Sequence, residues 1–294
     1  MSGMNCRLVV ISPCRDEARF LEGMVRSVIN QSIRPVAWIV VDDGSQDDSF
    51  KIISRHAALH PWIRPVRRER SGQRQLGPGV VNAFRAGLAV LSETDYEVIA
   101  KLDCDLEFGP ECFAMILKHF DDSRVGIAGG TTFLKVDGRL VSERYVTYHV
   151  PGAVKFYRRE CFVDIGGLQP VYGWDILDET DARCHGWTTI SDPGIVFMHH
   201  RLQGSSFGAV QGKVIWGRGA YVIGSHPLFA LARGLFRLWE RPWIIGGLAF
   251  IWGYYSSYFN KQIKRVQDQE FIGYLRREQL YRLTHGNRLP PNPV

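Results

Sequence analysis

The sequence lacks several features that mark well-known protein classes. Its six cysteines include no Cys-x-x-Cys pair, which argues against a zinc site and against a small disulfide framework. The first seven residues hold no basic run followed by an apolar core, so we expect no signal peptide and a reducing, cytoplasmic setting for the thiols. No basic recognition helix is visible, so we expect no nucleic-acid partner.

The composition is that of a globular protein with a mild basic excess. Of 294 residues, 45% are hydrophobic and 22% charged, which is enough apolar material for a sizeable core. The net charge of +6 suits anionic partners such as nucleotide phosphates or an acidic membrane surface. Composition and net charge narrow the possible classes of function but do not identify one.

The N-terminal half alternates strand-like and helix-like segments. Short apolar runs stand at 8–12, 37–41, 97–102 and 125–132, with a weaker one at 63–66. Helical spacing of apolar residues separates them. This βαβ rhythm predicts an α/β fold with an open, mainly parallel sheet and helices on both faces. Ligands bind such sheets outside the carboxyl ends of the strands.

Two acidic clusters stand at such strand ends. Asp103 and Asp105 follow the run at 97–102. Two carboxylates spaced in this way can share Mg²⁺ or Mn²⁺ together with phosphate oxygens, and the ion would act as a Lewis acid on a departing diphosphate. A solvated turn is the alternative for this pair.

The second cluster is Val40-Val41-Asp42-Asp43-Gly44-Ser45. A carboxylate of Asp42 or Asp43 can accept hydrogen bonds from a nucleobase N–H or from ribose hydroxyls. Gly44 permits a tight turn. Ser45 and Asp48 have the spacing of a capping box, which predicts that a helix begins directly after Ser45.

A third segment, Ser12-Pro13-Cys14-Arg15-Asp16-Glu17, ends the first strand. With the two acidic clusters in this order, the chain resembles the family-2 glycosyltransferases over roughly residues 7–200. The resemblance implies a GT-A (Rossmann-like) fold, a nucleotide-sugar donor and inverting transfer. It also implies that Pro13, Arg15 and Glu17 lie at the nucleotide site.

The family's fourth element is an acidic pair before a helix and a Gly-aromatic step, which here falls within 174–187. The resemblance implies that Glu179 is the general base that deprotonates the acceptor hydroxyl. The family has Glu-Asp where this chain has Asp178-Glu179, so Asp178 and Asp181 remain open. Carboxylates that merely favour a helix N-terminus are the alternative.

Basic and imidazole side chains stand near two other expected strand ends. His199, His200 and Arg201 follow an apolar run at 195–198, and similar enzymes use a histidine there for the metal or diphosphate. Adjacent strand residues face opposite ways, so at most one histidine points at the metal, while Arg201 is a candidate diphosphate contact. In the basic loop 67–74, Arg74 or Arg68 could meet the nucleotide, or the loop could be merely solvated.

Long hydrophobic runs are absent apart from 243–259, which contains no charge. Seventeen helical residues span about 26 Å, against about 30 Å of hydrocarbon. The run is rich in Trp and Tyr and has basic neighbours, which is typical of a membrane interface. We therefore expect a transferase domain at 1–205 and a helical membrane-associating region at 206–294, peripheral or monotopic on the cytoplasmic face of the inner membrane. A soluble helical pair, packed on the core or forming a dimer, is the alternative.

The resemblance implies transfer from a UDP-sugar to a lipid-linked saccharide, such as a polyprenyl-diphosphate saccharide, in cell-surface polysaccharide assembly. A nucleotidyltransferase that makes nucleotide-sugars is one alternative, but it would need a Gly-rich loop where 13–17 stands. An inactive membrane-bound adaptor of the same fold is another.

Overall fold

The computed structural model describes residues 6–69, 77–136, 139–142, 146–200, 208–240, 242–260 and 262–291. Contacts divide the chain into two compact units. The first comprises Met1–Gln75, Gly79–Leu168 and Trp187–Arg201, and the second comprises Leu76–Pro78, Gln169–Gly186 and Leu202–Val294. The second unit therefore includes a segment that precedes position 205.

The first unit is built on one sheet of nine strands. They are β1 Leu8–Cys14, β2 Ala37–Asp42, β3 Ile63–Arg67, β4 Val98–Leu102, β5 Leu106–Phe108, β6 Val125–Val136, β7 Arg139–Ser142, β8 Val154–Arg158 and β9 Thr188–His199. Their order is β3-β2-β1-β4-β8-β6-β9-β5, with β7 paired to β6. The first four are mutually parallel, β8 is antiparallel to both of its neighbours, and β9 is parallel to β6. The α/β prediction is confirmed, and the sheet is mixed beyond β4.

Two reversals place several strand ends on one edge of the sheet. Since β8 is antiparallel to β4 and to β6, strands β4 and β6 run the same way. Strand β9 is parallel to β6, so the carboxyl end of β9 lies on the sheet edge at which β1, β2 and β4 also end. Residues that follow these four strands are thereby candidates for a common site.

The helices of the first unit are α1 Ala18–Ile29, α2 Ser49–Leu59, α3 Pro78–Ala89, α4 Cys112–Lys118 with a 3-10 turn at His119–Asp121, and α5 Arg159–Asp164. Leu8 and Val10 share a core cluster with side chains of α1, α2 and α4. Their strand neighbour Ile11 faces the other way, where Gly87 of α3 meets it. Helices thus cover both faces, as predicted.

The capping-box prediction at Ser45 is wrong. Helix α2 begins at Ser49, and Asp48 stands at its N-cap without a side-chain cap bond. Asp47 Oδ1 instead accepts the Ser49 N–H at 3.0 Å. Ser45 is used elsewhere, because its hydroxyl oxygen accepts the backbone N–H of Asp16.

The second unit is helical in its described parts: α6 Trp174–Cys184, α7 Ala209–Val222, α8 Pro227–Phe236, α9 Ile245–Phe259 and α10 Gln269–His285, with a 3-10 turn at Arg237–Trp239. Glycines bring α7 and α9 to backbone contact. A Cβ on Gly217 would lie 2.0 Å from the Phe250 carbonyl oxygen, and one on Gly253 would lie 2.1 Å from that of Val214. Within the described residues, none of the helices is both long and apolar enough to traverse a bilayer.

Candidate active site

Three ligand-type side chains converge at the carboxyl edge of the sheet. Asp103 follows β4 directly, and its backbone N–H donates to the Ala153 carbonyl at 3.0 Å. Asp105 is 5% exposed, and the pairing of β5 with β9 brings His199 beside it. His199 Nε2 lies 3.5 Å from Asp105 Oδ1, and one ligand atom from each of the three residues lies within 4.8 Å of the others.

The donor set fits a divalent cation. Two carboxylate oxygens and one imidazole nitrogen at these separations would be the residues that hold a divalent ion. Oxygen ligands are those that Mg²⁺ and Mn²⁺ favour, and three protein ligands leave further positions for phosphate oxygens. Of the two candidate histidines, His199 is the one that joins the acidic pair.

His200 faces away from that group. Its ring stacks on Phe20, with centroids 5.2 Å apart and planes 10° from parallel. Its Nε2 lies 3.2 Å from Glu107 Oε1. The alternation of side chains along an extended chain therefore separates the two histidines, as the sequence predicts.

A buried lysine that the sequence analysis overlooked holds Asp103. Lys101 is 1% exposed, and its ammonium donates to Asp103 Oδ1 and to the Gly152 carbonyl, the latter at 2.7 Å. It stands opposite Lys155 of β8, which is also fully buried. A buried lysine is rare without a paired charge. The signal was a lysine in an otherwise apolar strand, two residues before the first aspartate.

The carboxylates after β2 occupy distinct positions. Asp42 is fully buried, and its Oδ1 accepts the Ser45 N–H at 3.2 Å across the turn that Gly44 makes with φ 77°. Its Oδ2 lies 3.4 Å from Arg67 Nε but accepts no hydrogen bond from the described residues, so it can accept one from an N–H or O–H donor. Asp43 pairs with Arg68 Nη1 at 2.8 Å.

Hydrogen bonds fasten the loop after β1 to the loop after β2. Asp16 has φ 55°, a left-handed conformation that is costly for a residue with a Cβ. That conformation lets its N–H donate to Ser45 Oγ at 3.0 Å while its Oδ1 accepts the Gln46 N–H at 2.8 Å. The N–H of Glu17 donates to Ser49 Oγ at 2.8 Å. The two loops form one bonded edge beside the acidic cluster.

Three of the remaining predicted nucleotide contacts, Pro13, Arg15 and Glu17, lie on or next to this edge. Pro13 pairs with Val41 in the β1–β2 register, and Glu17 is 4% exposed. The Arg15 side chain is 15% exposed, with its Nε 3.8 Å from Asp16 Oδ2. Arg74 and Arg201 lie outside the described residues.

The predicted base region lies on α6 of the second unit. Asp178 and Glu179 are 1% and 3% exposed, and Asp178 Oδ1 accepts the Glu179 N–H at 2.6 Å. Arg183, one turn on, makes a bidentate pair with Glu278 of α10 at 2.7 and 3.0 Å. This pair joins the two helices and places a buried cation on the same helix as the candidate bases.

Asp181 has a different electrostatic environment. Burial raises the pKa of its carboxyl to about 6, with Asp268 and Asp178 adding to the rise. The His185 ring, 3.4 Å away, opposes that rise. Asp181 therefore ionises close to neutral pH.

Comparisons with known proteins agree with this arrangement. Residues 9–167 match the model of the family described as "Glycosyl transferase family 2". Chondroitin synthase of Escherichia coli is 28% identical over 135 residues, which are 45% of this chain but only 18% of that protein. The chain therefore spans less than a fifth of the length of that curated relative.

Two solved structures share the fold at low identity. A mannosyltransferase of Pyrobaculum calidifontis in complex with GDP-Man and Mn²⁺ has a TM-score of 0.56 at 17% identity, over 97% of this chain and 76% of that one. A structure of GalNAc-T7 with UDP, GalNAc and Mn²⁺ has a TM-score of 0.60 at 16% identity, over 98% and 59%. The GT-A fold expected from the motifs is confirmed. The family match covers more than half of the length of this chain, and the chain therefore belongs to glycosyl transferase family 2.

Proposed function

We propose that the chain transfers a sugar from a nucleoside-diphosphate donor, with UDP as the expected nucleotide, to an acceptor hydroxyl with Mg²⁺ or Mn²⁺ as cofactor. The observation that carries this proposal is the convergence of Asp103, Asp105 and His199 at the carboxyl edge of the sheet. Family membership and the nucleotides and Mn²⁺ bound by the two proteins of similar fold support it.

The proposal gives each residue of the edge a part in donor binding. A divalent ion, when bound, would supply Lewis-acid stabilisation of the diphosphate as it departs. Lys101 fixes the orientation of Asp103 and offsets part of the acidic charge. In this proposal Asp42 accepts a hydrogen bond from the nucleobase or ribose, which is supported by its Oδ2 accepting none from the described residues, and Asp43 holds Arg68 beside it. Arg15 and, through the resemblance, Arg74 and Arg201 are the proposed cationic partners of the phosphates.

We propose Glu179 as the base, acting in a single displacement that inverts the anomeric carbon. The base takes the acceptor proton as the new C–O bond forms and the bond to the diphosphate breaks. Asp181 is the second candidate, because a carboxyl with a pKa of about 6 is ionised at neutral pH and still basic. Asp178 is the third, and its Oδ1 is already engaged by the Glu179 N–H.

The proposed acceptor is a lipid-linked saccharide used in cell-surface polysaccharide assembly, and the proposed location is the cytoplasmic face of the inner membrane, peripheral or monotopic. Large apolar side chains exposed on α8 and α9 support this placement. The nucleotidyltransferase alternative is set aside because the matched family consists of glycosyl transferases. The inactive-adaptor alternative is addressed by the assay below.

The primary test measures free nucleoside diphosphate released from a panel of nucleotide-sugars with Mg²⁺ or Mn²⁺. We expect one donor to be turned over, and Asp105→Ala to abolish the release. Asp95→Ala, at a carboxylate with a 65% exposed side chain, is the matched control and should retain activity. If no donor is consumed, even with membrane extract supplied as acceptor, the chain is an adaptor and the proposal is wrong.

The base is tested by comparing donor binding with transfer. Glu179→Gln should bind the donor as the unmodified protein does but lose about 10²–10⁴-fold in transfer. Asp181→Asn and Asp178→Asn are the matched comparisons. Normal transfer by Glu179→Gln together with loss in Asp181→Asn would move the base to Asp181.

A further inference from the structure

Helix α8 exposes three leucines while it half-buries an arginine. Its inward side carries Phe229, Ala230, Gly234 and the half-buried Arg233. Its outward side carries Leu228, Leu231 and Leu235, with exposures of 60%, 37% and 46%. A helix that borders water normally turns its charges outward and its leucines inward. The outward side of α8 is therefore suited to an apolar environment.

The exposed apolar side chains continue beyond α8. We define the apolar surface as six residues, exposed by 46% to 72%: Leu235, Phe236, Trp239, Trp243, Ile244 and Ile245. Ile244 has φ 59°, an outlying conformation for a β-branched residue, and its side chain is 61% exposed. Six such residues within eleven positions form more than the scattered single hydrophobics of an ordinary surface.

Basic side chains of α7, α8 and the following 3-10 turn lie close to one another, since Arg233 and Arg237 both lie over the Phe250 ring. We define the cation pocket as Lys213 of α7 with Arg233 and Arg237. Lys213 Nζ and Arg237 Nη1 both lie against one carboxylate oxygen, Glu240 Oε2, at 3.2 and 2.7 Å. Both also lie over the ring of Trp216, at 4.4 and 5.0 Å from its centroid. One carboxylate is thus shared by two cations.

Arg233 has no ion-pair partner among the residues that the structure describes. It lies 6.0 Å over the Phe250 ring, and no described residue gives it a hydrogen bond or an ion pair. Burial lowers the pKa of Arg233, the positive charges of Arg237 and Arg282 add to that effect, and Asp175 and Glu240 oppose it, with a net value of about 9. Among the described residues, Glu240 is the carboxylate that hydrogen-bonds to the cations of the pocket, so an added anion would offset part of their remaining charge.

We propose that the cation pocket binds the phosphate of an anionic phospholipid head group while the apolar surface enters the adjoining acyl region of the leaflet. Arginine guanidinium groups match phosphate oxygens in geometry, and a partly desolvated site strengthens that pairing. The apolar surface includes Trp239 and Trp243, and membrane interfaces are enriched in tryptophan. A phospholipid would contact the cation pocket with its phosphate and the apolar surface with its acyl chains, whereas a free phosphate ion would contact the cation pocket alone.

Vesicle sedimentation of the full chain tests the site without any sugar donor, so its result is independent of the transfer reaction. The probes are phosphatidylcholine vesicles with and without phosphatidylglycerol. Arg233→Gln should bind the anionic vesicles about fivefold more weakly, which is the effect of one basic residue near the surface. The charge-matched control is Arg124→Gln, at a 79% exposed side chain of the first unit, and it should bind as the unmodified protein does.

A substitution that removes a negative charge from the same site tests the proposal in the opposite direction. Glu240→Gln frees Lys213 and Arg237, so it should strengthen binding to anionic vesicles about fivefold, whereas Asp122→Asn should not. Arg233→Lys should retain most of the binding, which shows that the Gln variant has lost charge rather than fold. Leu235→Gln with Trp239→Gln should weaken binding to both kinds of vesicle.

Three outcomes would overturn the proposal. Arg233→Gln could bind anionic vesicles no more weakly than Arg124→Gln does. Glu240→Gln could fail to strengthen binding. The unmodified protein could bind phosphatidylcholine vesicles equally well with and without phosphatidylglycerol, which would show that no anionic head group is recognised.

Discussion

Replacing Asp181 by asparagine should stabilise the protein, and the gain should be larger at pH 8 than at pH 5. The carboxyl has a pKa of about 6 in the folded protein against an ordinary value of 3.8, because burial disfavours its charged form. The folded state therefore binds this proton more tightly than the unfolded state. The group costs no stability well below pH 4, and the cost grows until the pH has passed the folded pKa.

The magnitude follows from the two pKa values. Above pH 7 the full difference applies, which is at most about 3 kcal/mol, and at pH 5 about half of it remains. Asparagine resembles the neutral carboxyl in shape and cannot ionise, so Asp181→Asn should raise the free energy of unfolding by about 1.5 kcal/mol more at pH 8 than at pH 5. The side chain is 18% exposed, so these figures are upper bounds.

Urea unfolding at the two pH values is the assay, read from circular dichroism and tryptophan fluorescence. Asp122→Asn is the matched control. Arg124 lowers the pKa of Asp122 to about 2, so this carboxylate is ionised at both pH values and its replacement should have a pH-independent effect. An equal gain for Asp181→Asn at both pH values would refute the assigned cause, as would a gain that is larger at pH 5.

Three further predictions concern stability. Glu278→Gln should cost about 3–5 kcal/mol because it leaves Arg183 buried without its anion, and Arg183→Met with Glu278→Leu should regain most of that cost in a urea double-mutant cycle. Gly87→Ala should cost about 1–3 kcal/mol, since its Cβ would lie 2.6 Å from Ile11 Cγ2, whereas Gly109→Ala, with no atom within 4 Å, serves as the neutral control. Mn²⁺ at a hundredfold excess over its Kd should stabilise the folded chain by about 2.7 kcal/mol, an effect that EDTA reverses and that Asp105→Ala lacks.

The central strands could be predicted because a strand covered on both faces must be apolar at every position. The runs at 8–12 and 37–41 became β1 and β2, each extended by one or two residues. Strand β9 was found only over 195–198, although it begins at Thr188. Its early part contains Asp192 and a Pro-Gly step, and its register shifts against β6 there. Such a composition indicates a turn, and only the neighbouring strand makes it part of the sheet.

The candidate metal residues could be predicted as a set but not arranged in detail. The acidic pair after β4 was predicted from its position, and strand alternation allowed at most one of the two histidines to approach it. The choice of His199 depends on the pairing of β5 with β9, a long-range register that local sequence does not encode. Lys101 was missed because burying a lysine is unfavourable until Asp103 and the Gly152 carbonyl are known to meet it.

The grouping of residues 169–186 with the C-terminal helices could likewise not be predicted from the sequence. It depends on contacts such as Arg183 with Glu278, which are 95 positions apart. In the sequence of α8, Phe229 and Phe236 alternate with Arg233, a pattern that is typical of an amphipathic helix. Which side faces outward followed only from the packing of Ala230 and Gly234.

The bonds between the loops after β1 and β2 have a consequence for engineering donor choice. Ser45 Oγ accepts the N–H of Asp16, and Asp16 Oδ1 accepts an N–H from the loop that contains Ser45. In the same way the N–H of Glu17 donates to the hydroxyl of Ser49. A segment that is grafted into one loop alone would lose its counterparts in the other and release the left-handed turn at Asp16. The two segments, 15–18 and 45–49, are therefore best exchanged together, and under the proposed function a change of nucleotide preference would have to be built into both at once.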